Sequence, residues 1–125
     1  MDIPKELKYT EEHEWVLIEN EVATIGITDY AQGELSDIVF IELPNVADEI
    51  TQMEPFGTIE AVKAVSDLYA PLTGTIVEAN SMLEDQPELI NKDPYGKGWM
   101  IKIKMADQSE VDSLLSAADY LKQIS

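Results

Sequence analysis

The sequence predicts a mainly β fold, a sandwich of short strands with short helices and one C-terminal amphipathic helix. Three observations carry that expectation. Runs of Val, Ile and Thr only a few residues long recur from Glu14 to Met105, Gly, Pro and Asn punctuate them, and the last stretch alone repeats its apolar residues at helical spacing. At 125 residues the chain is long enough for one hydrophobic core and short for two, so a single domain spanning residues 1–125 is expected.

Glu14 to Glu19 and Glu21 to Ile27 read as two strands joined by a tight turn at Asn20. Thr28 offers an N-cap to Asp29-Tyr30-Ala31-Gln32, and Gly33 is positioned to stop that helix after little more than a turn. A strand from Asp37 to Leu43 ends at Pro44-Asn45. The next pair is expected from Phe56 to Val62 and from Asp67 to Leu72, with Lys63-Ala64-Val65-Ser66 as the connection, which makes Lys63 a hairpin-tip residue. Thr75 to Ala79 follows as a strand, and Met100 to Met105 alternates lysine with isoleucine or methionine as a half-buried strand does. Pro87, Pro94, Gly96 and Gly98 make residues 84–99 a long ordered loop with one helical turn near Glu88-Leu89-Ile90, its far end anchored by Trp99. Ser109 can cap a helix over about 109–123, in which Val111, Leu114, Leu115, Ala118 and Leu121 form an apolar stripe for packing on the sheets.

An apolar fraction of 45% separates the chain from disordered acidic sequences. Its formal charge is −17, from 25 acidic residues against eight basic ones, all of them lysine. Such a field repels phosphate backbones, which argues against nucleic-acid binding, and attracts basic protein partners; it also simply keeps a small protein soluble. With no cysteine there is no disulfide, thiolate nucleophile or thiolate metal site, and His13 alone cannot form a histidine cluster. No metal site is expected. No apolar run approaches the roughly 20 residues of a membrane span, and the N-terminus has neither a signal peptide nor an arginine-rich transit segment. A bacterial-type cytoplasm is the simplest compartment, although a processed organellar protein with a new Met1 would look the same.

A surface lysine is ordinarily a solvated charge, but Lys63 has a distinctive setting. It is the only Lys or Arg between Lys8 and Lys92, and the small or β-branched residues in Glu60-Ala61-Val62-Lys63-Ala64-Val65 leave its amine accessible. This segment resembles the lipoylation hairpin of glycine cleavage H proteins, whose usual Glu-Ser-Val-Lys reads Glu60-Ala61-Val62-Lys63 here. The resemblance continues in order through His13-Glu14-Trp15-Val16, Val22 to Gln32, Asp37-Ile38-Val39-Phe40, Asp67-Leu68-Tyr69-Ala70-Pro71, Pro94-Tyr95-Gly96 and Gly98-Trp99-Met100-Ile101-Lys102. It covers residues from about Leu7 to Tyr120. Two departures stand out: Ala61 replaces the usual Ser, keeping a small side chain, and Glu34 stands where some members carry His, so no imidazole there can hold the arm.

The resemblance implies a lipoyl/biotinyl-type barrel-sandwich hybrid and lipoate in amide linkage to Lys63 Nζ. It implies a non-catalytic carrier in glycine catabolism and one-carbon metabolism. A pyridoxal-phosphate glycine decarboxylase (P protein) would load an aminomethyl group, and a tetrahydrofolate-dependent aminomethyltransferase (T protein) would remove its carbon. A dihydrolipoamide dehydrogenase (L protein) would reoxidise the dithiol, a lipoate ligase or lipoyl transferase would install the arm, and the carrier itself would be a monomer. A tethered group stays near a docked active site at about millimolar effective concentration.

A loaded arm carries a cationic amine and a hydrolysable bond, so a cleft with carboxylates and apolar walls suits it. Glu14 and Asp67 match acidic positions near the family's arm cleft, with Ile27 and Leu35 as apolar lining; the plainer reading is surface carboxylates and core aliphatics. His13, with no Ser or Cys partner in view, reads as structural. Two other carriers remain open, a lipoyl domain of a 2-oxoacid dehydrogenase, which would normally bring linkers not seen here, and a lipoate relay; a biotin carrier is disfavoured, since that family's lysine is flanked by methionines and Lys63 by Val62 and Ala64. From other classes, a hydrolase using paired carboxylates has no supporting motif, and a cofactor-free acidic adaptor would be indifferent to Lys63→Arg.

Overall fold

A computed structural model describes all 125 residues, and it has two antiparallel sheets facing each other. The larger has the order β1-β2-β3-β9-β8-β5, built from Lys8–Tyr9, Glu14–Glu19, Val22–Ile27, Ile101–Met105, Gly74–Ala79 and Glu49–Ile50. The smaller is β4-β6-β7, from Ile38–Glu42, Pro55–Ala61 and Val65–Tyr69. Four short helices, α1 to α4, cover Asp29–Leu35, Met82–Asp85, Leu89–Lys92 and Ala117–Ile124. None is long and apolar enough to cross a membrane.

Strand alternation decides which residues enter the core. In β9, Ile101, Ile103 and Met105 are buried while Lys104 is exposed, the two-residue period of a sheet with one covered face. These residues join Val16 and Ile25 from the larger sheet to Ile41, Ile59 and Leu68 from the smaller in one apolar cluster. The pairing of β4 with β6 shifts register between Ile38 and Phe40, so Val39 and Phe40 both face outward.

A second, smaller cluster covers the outer face of β1 and β2 with Leu7, Tyr9, Trp15, Ala117 and Tyr120. Tyr9 stacks on Tyr120 at 4.8 Å between ring centroids, and the Trp15 indole donates to Pro94 O at 3.0 Å. The indole lies flat over Gly26, its register partner, where a methyl group would sit 2.7 Å from the ring.

Several expectations are corrected. Gly33 does not stop α1, which runs on to Leu35 and ends at Ser36 in the left-handed region, φ 64°. The loop expected over 84–99 does carry a helical turn near the expected place, α3 at Leu89–Lys92, but a further short helix that was not expected, α2 at Met82–Asp85, runs into its start. Val65 and Ser66 belong to β7, pairing with Glu60 and Ile59, so the hairpin connection shortens to Val62-Lys63-Ala64. No continuous helix spans 109–123: a 3-10 turn covers Gln108–Ser113, and α4 begins only at Ala117, capped by Ser116. The break has a cause, since Leu115 exchanges backbone hydrogen bonds with Tyr9 at 2.7 and 2.9 Å, which requires extended chain. The face of α4 that packs is therefore Ala117 and Tyr120, while Ala118 and Leu121 are exposed.

The Trp15–Gly26 contact is testable. Gly26→Ala should cost about 1–3 kcal/mol, the usual range for overpacking a closed site, read as a lower urea midpoint at unchanged slope. An unchanged midpoint would mean that the indole tilts away freely.

Candidate functional site

Lys63 is exposed at the tip of the β6–β7 hairpin, where Ala61 N–H donates to Ala64 O at 2.8 Å and closes the turn. Its neighbours Val62 and Val65 are also largely exposed, 72% and 63%.

From the tip, β7 runs along one side of a cleft of about 300 Å³. Ser66, Asp67 and Leu68 of β7 form one wall; Tyr30, Ala31, Glu34 and Leu35 of α1 form the other. Glu12, His13 and Glu14 close the end, with Ile27 and Ile59 at the base. All four residues expected of an arm cleft, Glu14, Ile27, Leu35 and Asp67, line this one space, and Lys63 does not. Their burial differs: Ile27 and Glu14 are buried, Leu35 is half-buried, and Asp67 is exposed on the edge strand.

Glu14 is the unusual member. As the first residue of β2 it is only 2% exposed, yet no cation lies against it. Burial pushes its carboxyl up to about 8, against the opposing effect of hydrogen bonds from the Thr10 hydroxyl at 2.6 Å and the Tyr69 amide at 3.4 Å. A second cavity, about 260 Å³, lies on its other side between Thr10, Gln52, Met53, Tyr69, Pro71 and Leu115. Glu14 thus stands in the partition between two cavities.

His13 has a clear structural role, as its sequence context suggested, and it also lines the cleft. Its Nδ1 lies 2.8 Å from the Tyr120 hydroxyl, which is itself 2.7 Å from Thr28 Oγ1. Burial lowers the imidazole's affinity for a proton, with Glu12 and Glu34 pulling the other way. The residue sits in the left-handed region, φ 72°, which turns the chain sharply enough for Thr10 to reach Glu14. Sequence reasoning missed Thr10, Glu12 and Tyr30. A hydroxyl four residues before an acid has no signature unless that turn is known.

Comparison with known proteins was made on sequence and on structure. A family model described as glycine cleavage H-protein matches residues 7–125. The glycine cleavage system H protein of Staphylococcus carnosus (strain TM300) is 56% identical over 124 residues, covering 99% of this chain and 98% of that one. That of Geobacillus kaustophilus (strain HTA426) is 60% identical over 120 residues, 96% and 94% of the two chains. The crystal structure of a glycine cleavage system H protein from Mycobacterium marinum superposes with a TM-score of 0.91 at 38% identity over 98% of each chain.

The state of Glu14 leaves a mark on stability. Its carboxyl titrates near 8 when folded and near 4.5 when free, so between these values the folded chain holds a proton that the unfolded chain has released. This contribution to stability is full below about 4.5 and is lost as pH rises through 8. Glu14→Gln removes the dependence and adds at most a constant offset. The difference in thermal midpoint, variant minus wild type, should therefore grow in the variant's favour from pH 5 to pH 8.5; a flat difference would mean that Glu14 is ionised throughout.

Proposed function

The chain belongs to the glycine cleavage H-protein family and is a lipoyl carrier of that system, and from that premise we propose that Lys63 Nζ bears the lipoyl group. The observation that carries the proposal is the placing of Lys63 relative to the cleft. Asp67, the third residue of β7, is four residues from Lys63 in the turn, so the two lie at most about 14 Å apart even for fully extended chain. A lipoyl group on a lysine spans on the order of 14 Å at about 1.5 Å per bond, so the residues fit the group. When bound, that group supplies a dithiolane able to accept the aminomethyl cargo and a pair of electrons.

The chain's own residues have non-covalent tasks. Lys63 offers an unobstructed amine for acylation and loses its positive charge when the amide forms. Glu14 and Asp67 face the space where the cargo amine would lie: Asp67 supplies a counter-charge at the exposed edge, and buried Glu14, which holds its proton in the empty cleft, supplies a second once the cargo ammonium draws that proton off. Ile27 and Leu35, with Ile59 and Leu68, line the cleft with hydrocarbon and limit the access of water to the cargo bond. Glu12 and Glu34 bring the acids of the cleft to four, Glu34 standing where some members of the family carry an imidazole.

No residue in this arrangement is required to make or break a bond, and the proposed carrier is non-catalytic. As a component of the system it meets the system's other members. The proposed partners are the glycine decarboxylase, the aminomethyltransferase, the dihydrolipoamide dehydrogenase and a lipoate ligase or lipoyl transferase. Its bacterial relatives support a cytoplasmic setting, and all 125 residues are proposed to work as one monomeric carrier unit.

Incubation with a lipoate ligase, lipoate and ATP should give one adduct by intact mass, mapped to Lys63 by fragmentation and absent from Lys63→Arg. Glycine-dependent loading by glycine decarboxylase would then separate glycine cleavage from lipoate relay. Absence of any adduct, with a control carrier modified in parallel, would return the chain to the reading of a cofactor-free adaptor.

A further inference from the structure

We propose that Thr10 is the positioning residue for Glu14, holding its carboxyl from the far cavity so that it is presented to the cleft in the orientation that meets the cargo amine. This rests on the reading of Glu14 as the counter-charge of the loaded arm.

The geometry is specific. Thr10 Oγ1 accepts from the Glu14 amide at 3.1 Å and donates to Glu14 Oε1 at 2.6 Å. With its backbone-facing lone pair occupied, the hydroxyl directs its only proton at the carboxyl oxygen. The loop is fixed further by Thr10 N–H donating to Glu14 O at 3.0 Å and His13 N–H donating to Thr10 O at 3.2 Å. Tyr69 N–H reaches Glu14 Oε2 at 3.4 Å, a long contact, so the short bond from Thr10 is the main restraint on the carboxyl's rotation. Thr10 and Tyr69 both line the second cavity and neither lines the cleft, whereas Glu14 lines both. The anchors therefore grip the carboxyl from behind. Each carboxyl oxygen retains a lone pair for a cation in front.

The bond also favours the ionised carboxylate, because a hydroxyl donating to an oxygen in a poorly hydrated place stabilises negative charge there. A cargo ammonium must draw the proton off Glu14, and without the bond the carboxyl would hold that proton more tightly and would rotate. A neutral, misdirected carboxyl is a poor partner for an ammonium group.

The test compares Thr10→Val, which keeps the shape and deletes the hydroxyl, with Thr10→Ser, which keeps the hydroxyl, and with Glu14→Gln. Two quantities are read. The first is the titration of the Glu14 carboxyl in the unlipoylated protein, followed by carbon NMR of labelled glutamate. The second is the lifetime of the aminomethyl-loaded carrier, followed by formaldehyde and ammonium release: water adds its oxygen to the cargo carbon, the carbon–nitrogen and carbon–sulfur bonds break, and one ammonium, one formaldehyde and the free thiol are formed with no change of oxidation state. Thr10→Val should move the titration midpoint above its wild-type value and shorten the lifetime by about tenfold, the scale of one hydrogen bond to a charged group. Thr10→Ser should restore both.

A merely structural Thr10 would lower the thermal midpoint in the Val variant and leave titration and lifetime in place, and that result overturns the proposal. If Glu14→Gln shortens the lifetime while Thr10→Val does not, the cleft reading stands and the positioning role falls. If Glu14→Gln leaves the lifetime unchanged, the underlying reading of Glu14 falls and the proposal with it.

Discussion

Glu14 is sealed at the start of β2 with hydrogen bonds to a hydroxyl and an amide but no cation, and such a group costs the fold stability whenever it ionises. Much of the nearby architecture can be understood from this constraint. The chain reverses at His13 in a left-handed conformation, bringing the Thr10 hydroxyl under the carboxyl. The His13 ring is in turn held against Tyr120, whose hydroxyl also meets the Thr28 cap of α1. The same tyrosine stacks on Tyr9 of β1. The small apolar cluster on the outer face of the larger sheet thus fixes both the turn carrying Glu14 and the helix forming the opposite wall of the cleft.

The lysine obeys the opposite requirement. To carry the proposed arm it must leave the body of the protein, and the smaller sheet provides for that. In β6 and β7, Ile59 and Leu68 commit to the core, while the hairpin beyond Ala61 has nothing buried after it until Leu68. Anchoring is strong at one end of the hairpin and ends abruptly at the other. Lys63 is consequently placed by a rigid base yet open on all sides, and the edge strand β7 leads from it to the cleft. The proposed attachment point lies in the turn just before β7 and the cleft wall lies on β7 itself, so the hairpin fixes their separation.

What could be read from the sequence follows from how local each determinant is. The strands from Glu14 to Glu19 and from Ile101 to Met105 were legible because β-branched residues and strict alternation act within a few positions. The two-sheet sandwich and the hairpin lysine followed from the same patterns and from the family likeness, and the likeness also nominated the four residues that the fold brings together in one cleft. Two-residue strands such as Lys8–Tyr9 and Glu49–Ile50 carry no such pattern and exist only through their partners. The C-terminal stripe misled because its spacing was helical while the backbone of Leu115 was claimed by Tyr9, near the other end of the chain. Gly33 had no left-handed position to fill, since Ser36 took it. Thr10 was hidden for the same reason: its role depends on a turn that the local residues do not announce.

Surface charge adds a last step. Against 25 acidic residues there is one ion pair, Lys102 with Glu78 at 3.8 Å, between two exposed groups, and it contributes little. The field around the proposed cleft therefore has a consistent sign, with Glu12, Glu34 and Asp67 near the mouth and Glu14 within. In the proposed carrier, acylation removes the positive charge of Lys63, and the only cation then offered to this cleft is the cargo itself. An unloaded neutral arm gains hydrocarbon contact alone, whereas a loaded arm adds the charge that Glu14 lacks. Glu14 holds its proton in the empty cleft and a bound ammonium favours its release, so the charge gained on loading is a difference in affinity between the two forms of the arm, which in the proposed carrier protects the cargo in transit and frees the arm once the cargo is gone.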